Sequence, residues 1–497
     1  MNKRWLAAAI ALLFLLQGAC FAAVDNIADS CRFWVSEGNA GDVSDASMTT
    51  AWSPKGANPE LRVMLPDSGA AHIQIHWTLP PTNYTLTEYD ASQNVVATRT
   101  AEDDSFACIA QLLPLQKETR YISLTFSQAS QGINKIRIFP EGELPNTVVQ
   151  WEAPHDKCDL LIISTHQDDE WLWFGAMIPY YDLVMDKDVQ VVYMANCGRY
   201  RYAEALNSLA VSGVRTYPLF IGLKDRRDDS LEAAVRTWNG VDTVVGVMVA
   251  IIRRCKPEVI LTHDWNGEYG HPQHILTSRS MEYAIAAAAD PAQYPESAEA
   301  YGAWQVKKLY RHLETKDQIQ FDWHVAYPEF GGRTGLQVAI DSMNEHASQL
   351  PYFQVKDHGE YDNALFGLSY STVGNDVEHK DLFENISDAP STPEPTPEVT
   401  PEATPEVTEE AADVTGEALA DDEEPVETVD AEATPEPTAT AEPMSTPEPQ
   451  PAKERGGNGA IIAVGIALAV ACVGVAGWMF YSRQQARRRR RKRRRRR

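Results

Sequence analysis

The stretch Asp159–Trp171, DLLIISTHQDDEW, places an apolar run directly before one imidazole and three carboxylates. A short apolar run bounded by polar residues is typical of a strand that is buried on both faces of a parallel sheet. The charged residues would then stand at the carboxyl end of that strand, and open parallel sheets bind their ligands beyond this end. The stretch therefore predicts both a fold class and the position of a functional site.

The surrounding sequence alternates between strand-like runs and helix-like periods. Four apolar runs are each followed by a segment in which apolar residues recur every three or four positions. The runs are residues 159–164, 190–195, 217–221 and 258–262, and the helical segments are residues 172–184, 202–214, 231–254 and 272–289. This alternation predicts an α/β domain over residues 151–386, with a Rossmann-like, mostly parallel sheet and helices on both faces.

Two clusters of side chains that commonly bind metals follow two of the predicted strands. His166 and Asp169 lie three positions apart, close enough for a tight turn to direct both at one ion. Residues 262–274, THDWNGEYGHPQH, follow the fourth strand and end with His271 and His274 at the start of a predicted helix. Parallel strands that end at one edge would bring His166, Asp169 and His274 together. Imidazole and carboxylate are zinc ligands, and a catalytic zinc keeps one position open for water.

These residues also have purely structural interpretations. Asp169 and Glu170 can complement the partial positive charge at a helix N-terminus, and the three histidines can be ordinary cap or first-turn residues. Because both clusters fall at the predicted binding edge, the metal site is the stronger hypothesis.

Three motifs of this region resemble those of one enzyme family. His166–Glu170, HQDDE, resembles the His-Pro-Asp-Asp-Glu motif of the PIG-L or LmbE family of zinc-dependent N-acetylglucosamine deacetylases, and Gly270–His274, GHPQH, resembles its Gly-His-x-Asp-His motif. Arg201–Glu204 fits the Arg-x-x-Glu that opens the family's second helix. The resemblance covers residues 157–290 and reaches residue 385 less clearly.

The resemblance implies a metal, a mechanism and a set of site residues. The metal would be Zn²⁺, with Fe²⁺ as a further candidate, and its ligands would be His166, Asp169 and His274. The implied general base is Asp168, the implied oxyanion-stabilising residues are His271 and Tyr269, and the implied contact to substrate hydroxyls is Arg201. For Arg201, an ion pair with Glu204 or another carboxylate is an equally good prediction.

Two positions depart from the family pattern. Gln167 replaces a proline, which would loosen the loop without removing a ligand. Gln273 replaces an aspartate and would deprive His271 of an anionic partner that favours its protonated form. We therefore expect a changed activity or pH optimum. Trp171 and Trp173 are predicted to pack in a helix core, with a sugar-binding platform as the alternative.

Residues 24–150 are predicted to form an all-β domain. Apolar and polar residues alternate over 73–77 and 84–89, and further strand-like runs cover 121–126 and 135–139. This β-sandwich, with Ser44-Asp45 and Thr50-Ala51-Trp52 before its first alternating strand, resembles the discoidin, or galactose-binding-like, jelly roll. The resemblance implies sugar binding, and a spacer without a ligand is an equally good interpretation. Cys31 and Cys108 are predicted to pair as a disulfide.

Both ends of the chain predict export and anchoring. Residues 1–23 combine two basic residues, an apolar stretch and small residues, as a secretory signal peptide does; a lipoprotein anchor at Cys20 is the weaker alternative. Residues 387–458 repeat Thr-Pro-Glu and are predicted to be a disordered, extended linker. Residues 459–481 are apolar and long enough for a transmembrane helix.

The basic tail sets the predicted orientation. Residues 482–497 are strongly basic, which predicts a cytoplasmic tail in contact with anionic lipid rather than with nucleic acid. The whole chain still has a net charge of −26, so the exported part is acidic and we expect no long-range attraction to anionic polymers.

These observations together predict a function. We expect a single-pass cell-membrane protein whose extracellular part removes acetyl groups from glycans or glycoconjugates that contain N-acetylglucosamine, with a glycan or amino sugar as substrate. A catalytically inactive surface glycan-binding protein is the alternative. Hydrolysis of a different amide is a third and weaker one.

Overall fold

The computed structural model describes residues 22–45, 47–126 and 132–386. These residues form a β-sandwich followed by an α/β domain. The predicted linker, transmembrane helix, basic tail and nearly all of the signal peptide lie outside the described residues. Among the described helices, no single one is both long and apolar enough to cross a membrane, although the bent pair Leu231–Thr237 and Val241–Cys255, 66° apart, meets both requirements together.

The sandwich consists of two antiparallel sheets. Its strands are β1 (Arg32–Val35), β2 (Glu60–Met64), β3 (His72–Trp77), β4 (Tyr84–Tyr89), β5 (Val95–Thr100), β6 (Ala110–Pro114), β7 (Tyr121–Phe126) and β8 (Ile133–Phe139). One sheet has the order β1-β2-β7-β4-β5 and the other β6-β3-β8. The four strands read from the sequence are present, and β1, β2, β5 and β6 were not predicted. The discoidin resemblance stays a prediction.

The α/β domain is built on a seven-stranded sheet. Its strands are β9 (Leu160–Ser164), β10 (Val189–Asn196), β11 (Leu219–Lys224), β12 (Val259–Thr262), β13 (Lys308–His312), β14 (Ile319–Gln320) and β15 (Leu365–Ser371). The order is β11-β10-β9-β12-β13-β15-β14. The first five are parallel in the order 3-2-1-4-5 of a Rossmann sheet, while β15 runs antiparallel to both of its neighbours.

Helices cover both faces of this sheet, as predicted. They are α1 (Asp169–Leu172), α2 (Met177–Pro179), α3 (Arg199–Ser212), α4 (Leu231–Thr237), α5 (Val241–Cys255), α6 (Pro272–Ala289), α7 (Pro295–Tyr301) and α8 (Gly335–Met343), with a π-helical turn at Tyr180–Val184. Strand β9 explains the continuous apolar run, because Leu160 and Ile162 join one hydrophobic cluster while Leu161 and Ile163 join the cluster on the opposite face.

Two predicted helices are interrupted. The segment 172–184 breaks at Gly175, whose φ of 56° suits glycine and where a Cβ would lie 2.6 Å from the Trp323 indole nitrogen. The segment 231–254 breaks at Gly240, with φ of 100°. Strands β13, β14 and β15 were not predicted, since their runs are short and polar residues interrupt them.

The sandwich and the α/β domain share one hydrophobic cluster. Cys108, Ile109 and Ala110 pack in it with residues of the α/β sheet, and the Ile109 N–H donates to the Tyr217 hydroxyl over 3.1 Å. The predicted pairing of Cys31 with Cys108 is wrong: both thiols are free. Cys31 packs instead against the separate core of the sandwich, so the two sulfurs belong to different clusters.

Candidate metal and active site

The site lies where strands β9 and β12 end. These neighbouring strands are parallel and in register, with Val259 opposite Leu160. Helix α1 begins at Asp169, five residues beyond β9, and α6 begins at Pro272 after the loop that follows β12. Because both loops leave the same edge of the sheet, the two clusters recognised in the sequence meet, as expected for this topology.

The three predicted ligands point one atom each at a common centre. The His166 Nδ1 lies 3.0 Å from the His274 Nε2, and the Asp169 Oδ2 lies 3.3 Å from each of these nitrogens. Bonds of about 2.0–2.1 Å from one zinc ion to tetrahedral ligands imply ligand-to-ligand distances of roughly 3.3 Å. The triangle therefore has the size that such an ion requires.

Each of these side chains is also held at its far end. The His274 Nδ1 lies 2.8 Å from the Glu268 Oε2, and the His166 Nε2 lies 3.0 Å from the Gln273 Oε1. The Trp173 indole N–H donates to the Asp169 Oδ1 over 2.8 Å. Metal ligands in proteins typically carry such outer hydrogen bonds, which fix the tautomer and the orientation of each ligand.

Glu268 is a fully buried carboxylate surrounded by three imidazoles. Besides His274, the His263 Nδ1 and the His312 Nδ1 each lie 2.8 Å from one of its oxygens. Burial opposes its ionisation, but the adjoining histidines hold the pKa of Glu268 well below the ordinary value. Glu268 lies within the second cluster of the sequence, 262–274, and no role was predicted for it.

The charge balance at His274 favours a cation at the centre of the triangle. Burial lowers the pKa of His274, but the Asp169 and Glu268 carboxylates outweigh it and raise the pKa to about 10. Burial also disfavours the charged form of Asp169, yet His274 and His166 hold the pKa of Asp169 well below its usual value. The Asp169 and Glu268 carboxylates, which favour a proton on His274, carry negative charge that a bound divalent ion would neutralise.

Two other sets of three side chains also bring their ligand atoms within 4.8 Å of one another. These are His166, His271 and His274, and Asp169, His263 and His274. His263 is the poorer candidate, because its Nε2 already accepts the Thr165 backbone N–H over 2.9 Å. The His271 Nδ1 has no hydrogen-bond partner among the described residues. Burial and the neighbouring His274 and His166 lower the pKa of His271 to about 2, so the ring is neutral.

Asp168 stands beside the triangle in a strained backbone conformation. Its φ is 141°, a region that residues other than glycine rarely adopt. Its backbone N–H donates to the Glu170 Oε2 over 2.7 Å, and the Arg201 Nη2 donates to its Oδ1 over 2.7 Å. Burial raises the pKa of Asp168 to about 7, with Arg201 opposing the shift and Asp169 adding to it.

Arg201 thus forms the ion pair that was the alternative prediction. Besides Asp168, its Nε lies 3.6 Å from the Glu204 Oε2. Only 7% of its surface is exposed, and its Nη2 also donates to the Gln167 carbonyl, so protein groups hold the guanidinium beside the cavity.

A cavity of about 150 Å³ opens onto these groups. The predicted residues that line it are His166, Asp168, Asp169, Arg201, Tyr269 and His271, while His274 lies fully buried behind them. The further lining residues are Leu172, Trp173, Cys197, Asp225, Gln349 and Phe353.

The structure agrees with the sequence-based expectation at Trp171 and differs from it at Gln273 and Trp173. The Gln273 Oε1 lies 3.0 Å from the His166 Nε2, whereas the sequence-based expectation placed this side chain beside His271. The glutamine in place of the family's aspartate therefore contacts a predicted metal ligand. Trp171 is fully buried and donates to the Ser208 hydroxyl over 2.8 Å, as core packing predicts. Trp173 contacts the site directly, and Gln349 and Phe353 come from a distant segment that carries no recognisable motif.

Comparisons with known proteins agree with the geometry. Residues 161–285 match the family model PIG-L, GlcNAc-PI de-N-acetylase. The chain is 31% identical over 178 residues to a 1D-myo-inositol 2-acetamido-2-deoxy-α-D-glucopyranoside deacetylase of Geodermatophilus obscurus, which covers 30% of this chain and 60% of the relative. It is 33% identical over 189 residues to the protein of the same name from Thermobifida fusca, covering 32% and 64%.

A solved structure also aligns with this chain. The N,N'-diacetylchitobiose deacetylase from Pyrococcus horikoshii aligns with a TM-score of 0.31 and 17% identity, over 39% of this chain and 71% of that one. The chain spans less than two thirds of the length of the Geodermatophilus obscurus and Thermobifida fusca relatives. Residues 161–285 are thus the part of the chain that is similar to the PIG-L family.

Proposed function

We propose that the chain is a metal-dependent hydrolase that removes the acetyl group from N-acetylglucosamine-containing glycans or glycoconjugates. The observation that carries this proposal is the triangle of His166, Asp169 and His274 ligand atoms beside the Asp168 carboxylate. The curated relatives support it, because their names describe deacetylation of a GlcNAc unit linked to inositol.

The ligand set fits Zn²⁺, with Fe²⁺ as the second candidate. His166, Asp169 and His274 would bind the ion through two nitrogens and one oxygen, the donor set of a catalytic zinc site. Such an ion supplies Lewis acidity that polarises the acetamide carbonyl and lowers the pKa of water.

Asp168 is the proposed general base. Its carboxylate lines the cavity, and its raised pKa, to about 7, suits a group that takes a proton from water at neutral pH. Arg201 holds one of its oxygens, so the other is the oxygen that can accept the proton.

Tyr269 and His271 are proposed to act on the substrate oxygen and nitrogen. Both line the cavity, with ring centroids 5.6 Å apart. The Tyr269 hydroxyl can donate to the oxyanion that forms when water attacks the carbonyl, because burial and the nearby carboxylates raise its pKa and keep it protonated. Asp168 then delivers the proton that it took from water to the departing amine, which yields acetate and the free amino sugar, while the neutral His271 ring can donate a hydrogen bond to the substrate.

The proposed place of action is outside the cell. A signal peptide at residues 1–23 and a transmembrane helix at 459–481 would hold the two folded domains on the exterior, on the extended linker 387–458.

Replacing the proposed base tests the mechanism. Acetate release is measured from a panel of N-acetylated amino sugars with the parent protein, Asp168→Asn and the exposed control Asp322→Asn. We expect Asp168→Asn to lose about 10²- to 10⁴-fold in kcat while it keeps its metal, and the control to match the parent. Full activity of Asp168→Asn, or no acetate from any sugar with the parent, would rule the mechanism out.

A further inference from the structure

The amide of Gln273 connects a predicted metal ligand to the loop between β11 and α4. Its Oε1 lies 3.0 Å from the His166 Nε2, and its Nε2 donates to the Asp228 Oδ2 over 3.0 Å and to the Lys224 carbonyl over 3.3 Å. The side chain of Gln273 is fully buried. The loop therefore contacts the metal site through this one amide.

The partners of Gln273 determine which way its amide faces. Asp228 offers a carboxylate oxygen and Lys224 a backbone carbonyl, and both groups accept hydrogen bonds. If the amide were turned over, its carbonyl oxygen would face two acceptors in a buried place, which leaves all three oxygens unsatisfied. The NH₂ group is thus directed at the loop, and Oε1 is directed at His166.

The orientation of the amide in turn determines the tautomer of His166. Because the Gln273 Oε1 can only accept, the His166 Nε2 carries the hydrogen and donates it. The neutral ring then has its lone pair on Nδ1, which faces the His274 Nε2 at 3.0 Å and the Asp169 Oδ2 at 3.3 Å. The Asp225 Oδ1 also lies near the His166 Nε2, but its distance of 3.7 Å is too long for a hydrogen bond.

The end of helix α4 holds both acceptors of the Gln273 amide. The Thr237 hydroxyl donates to the Asp228 Oδ1 over 2.8 Å, and the Trp238 indole N–H donates to the Lys224 carbonyl over 2.9 Å. Trp238 is fully buried in the hydrophobic cluster on one face of the sheet. The loop is thus attached to an ordered helix at two points, and Asp228 cannot turn away from Gln273 without losing its bond to Thr237.

We propose that Asp228 is a positioning residue, which acts through Gln273 to leave the lone pair of the His166 Nδ1 free for the metal. We name Asp228 and Gln273 the His166 relay. For His274 a carboxylate, Glu268, makes this bond directly. A glutamine suits the relay, because a carboxylate at position 273 would face the Asp228 carboxylate without a proton between them. Since the relay orients a ligand of the proposed hydrolase, it rests on that proposed function.

Zinc affinity tests the relay. Competition with a chromophoric chelator is measured on the purified chain, with the folding of each variant checked by circular dichroism. For Asp228→Ala and for Gln273→Leu we expect about tenfold lower affinity than in the parent, as is typical when an outer partner of a metal ligand is removed. The control Asp229→Asn changes the next carboxylate of the same loop, which is exposed, and should match the parent.

Two further variants distinguish the relay from a general loss of structure. The double variant Asp228→Ala/Gln273→Leu should bind zinc as Gln273→Leu does, because the bond through which Asp228 acts is already absent. Asp228→Asn should stay within about twofold of the parent, because its amide oxygen can accept from Gln273 while the Thr237 hydroxyl accepts its N–H. Multiplied losses in the double variant, equal losses in Asp228→Asn and Asp228→Ala, or full affinity in either Asp228→Ala or Gln273→Leu would overturn the relay.

Acetate release separates failure of the relay from failure of the proposed reaction. A parent that releases no acetate from any N-acetylated sugar, but whose variants show the expected zinc affinities, would rule out the reaction and leave the relay. An active parent with the zinc affinity of Asp228→Ala would rule out the relay and leave the reaction. A parent that binds no zinc would overturn both.

Discussion

At the scale of single residues, the site depends on the groups behind the predicted ligands. Asp169, His166 and His274 are each held by an outer hydrogen bond at the atom that faces away from the triangle, and the Asp169 Oδ2 within the triangle also accepts the His166 backbone N–H over 2.7 Å. A carboxylate or imidazole side chain without such a partner would rotate among several orientations. The outer partners therefore determine the geometry as much as the ligands do.

Removal of the hydrogen bond from Trp173 to Asp169 should weaken metal binding. Trp173→Phe keeps an aromatic ring in place but loses the indole N–H, and we expect about tenfold lower zinc affinity. Trp171→Phe is the matched control, because it loses an indole bond of the same 2.8 Å length to Ser208, away from the ligands. Competition with a chromophoric chelator measures both affinities. Equal zinc affinity in the two variants would contradict this role.

The sequence predicted which residues meet but not how they bond. His166, Asp169 and His274 were recognisable because motif spacing and strand topology place them at one edge. The roles of Glu268, Trp173 and Gln273 depend on side-chain rotamers and on loop paths, which spacing does not encode. Glu268 lies in the stretch 262–274, which also contains three histidines. An acidic residue among several histidines was the signal available in the sequence.

At the scale of elements, helix α6 links the site to the rest of the domain. Its first turn carries His274, and its C-terminal end is held by Arg253, a fully buried side chain that donates to the carbonyls of Ala287, Ala288, Asp290, Gln293 and Tyr294. Carbonyls at a helix end have no partner within the helix, so a cation there satisfies them.

Loss of this cap should destabilise the domain. For Arg253→Met we expect a decrease of about 3 kcal/mol or more in the free energy of unfolding, because hydrogen bonds to a charged donor are lost and buried carbonyls are left unpaired. Arg254 follows Arg253 on helix α5 and is only partly buried. Arg254→Met should therefore lower the free energy of unfolding by less than about 0.5 kcal/mol. Urea unfolding followed by tryptophan fluorescence compares them. Equal stabilities would show that the cap is unimportant.

The predicted elements were accurate where periodicity was strong. Strands β9, β10 and β12 and helix α6 match the sequence-based bounds closely, because continuous apolar runs and a proline start define them. The breaks at Gly175 and Gly240 were missed, since a single glycine does not reveal whether its φ is positive. The segment after α8 has no periodic pattern at all, yet it supplies Gln349 and Phe353 to the cavity.

At the scale of the described molecule, the two domains are continuous in their packing. The cluster that contains Ile109 of the sandwich also contains Leu160 of the central strand, and Phe106 packs 5.5 Å from the Tyr217 ring. The sandwich is therefore a structural part of the α/β domain, whatever it binds.

This shared core predicts cooperative unfolding. We expect one calorimetric transition for both domains. Tyr217→Phe leaves the buried Ile109 N–H without its acceptor and should lower stability by about 1–3 kcal/mol across the whole transition. Tyr217 and Tyr202 both pack on the Phe220 ring. Tyr202→Phe therefore serves as the control. Two separate transitions, with only one of them shifted, would contradict the shared core.

If His166, Asp169 and His274 together hold one divalent ion, the metal content of the protein depends on each of them. Mass spectrometry of the purified chain, dialysed after zinc addition, should find one equivalent of metal in the parent and in His324→Ala, which changes an exposed histidine that does not line the cavity. His274→Ala and Asp169→Asn, checked for folding by circular dichroism, should retain less than about a tenth of an equivalent. A parent that binds no metal, or folded His274→Ala and Asp169→Asn proteins that keep a full equivalent, would show that these three residues do not form a metal site.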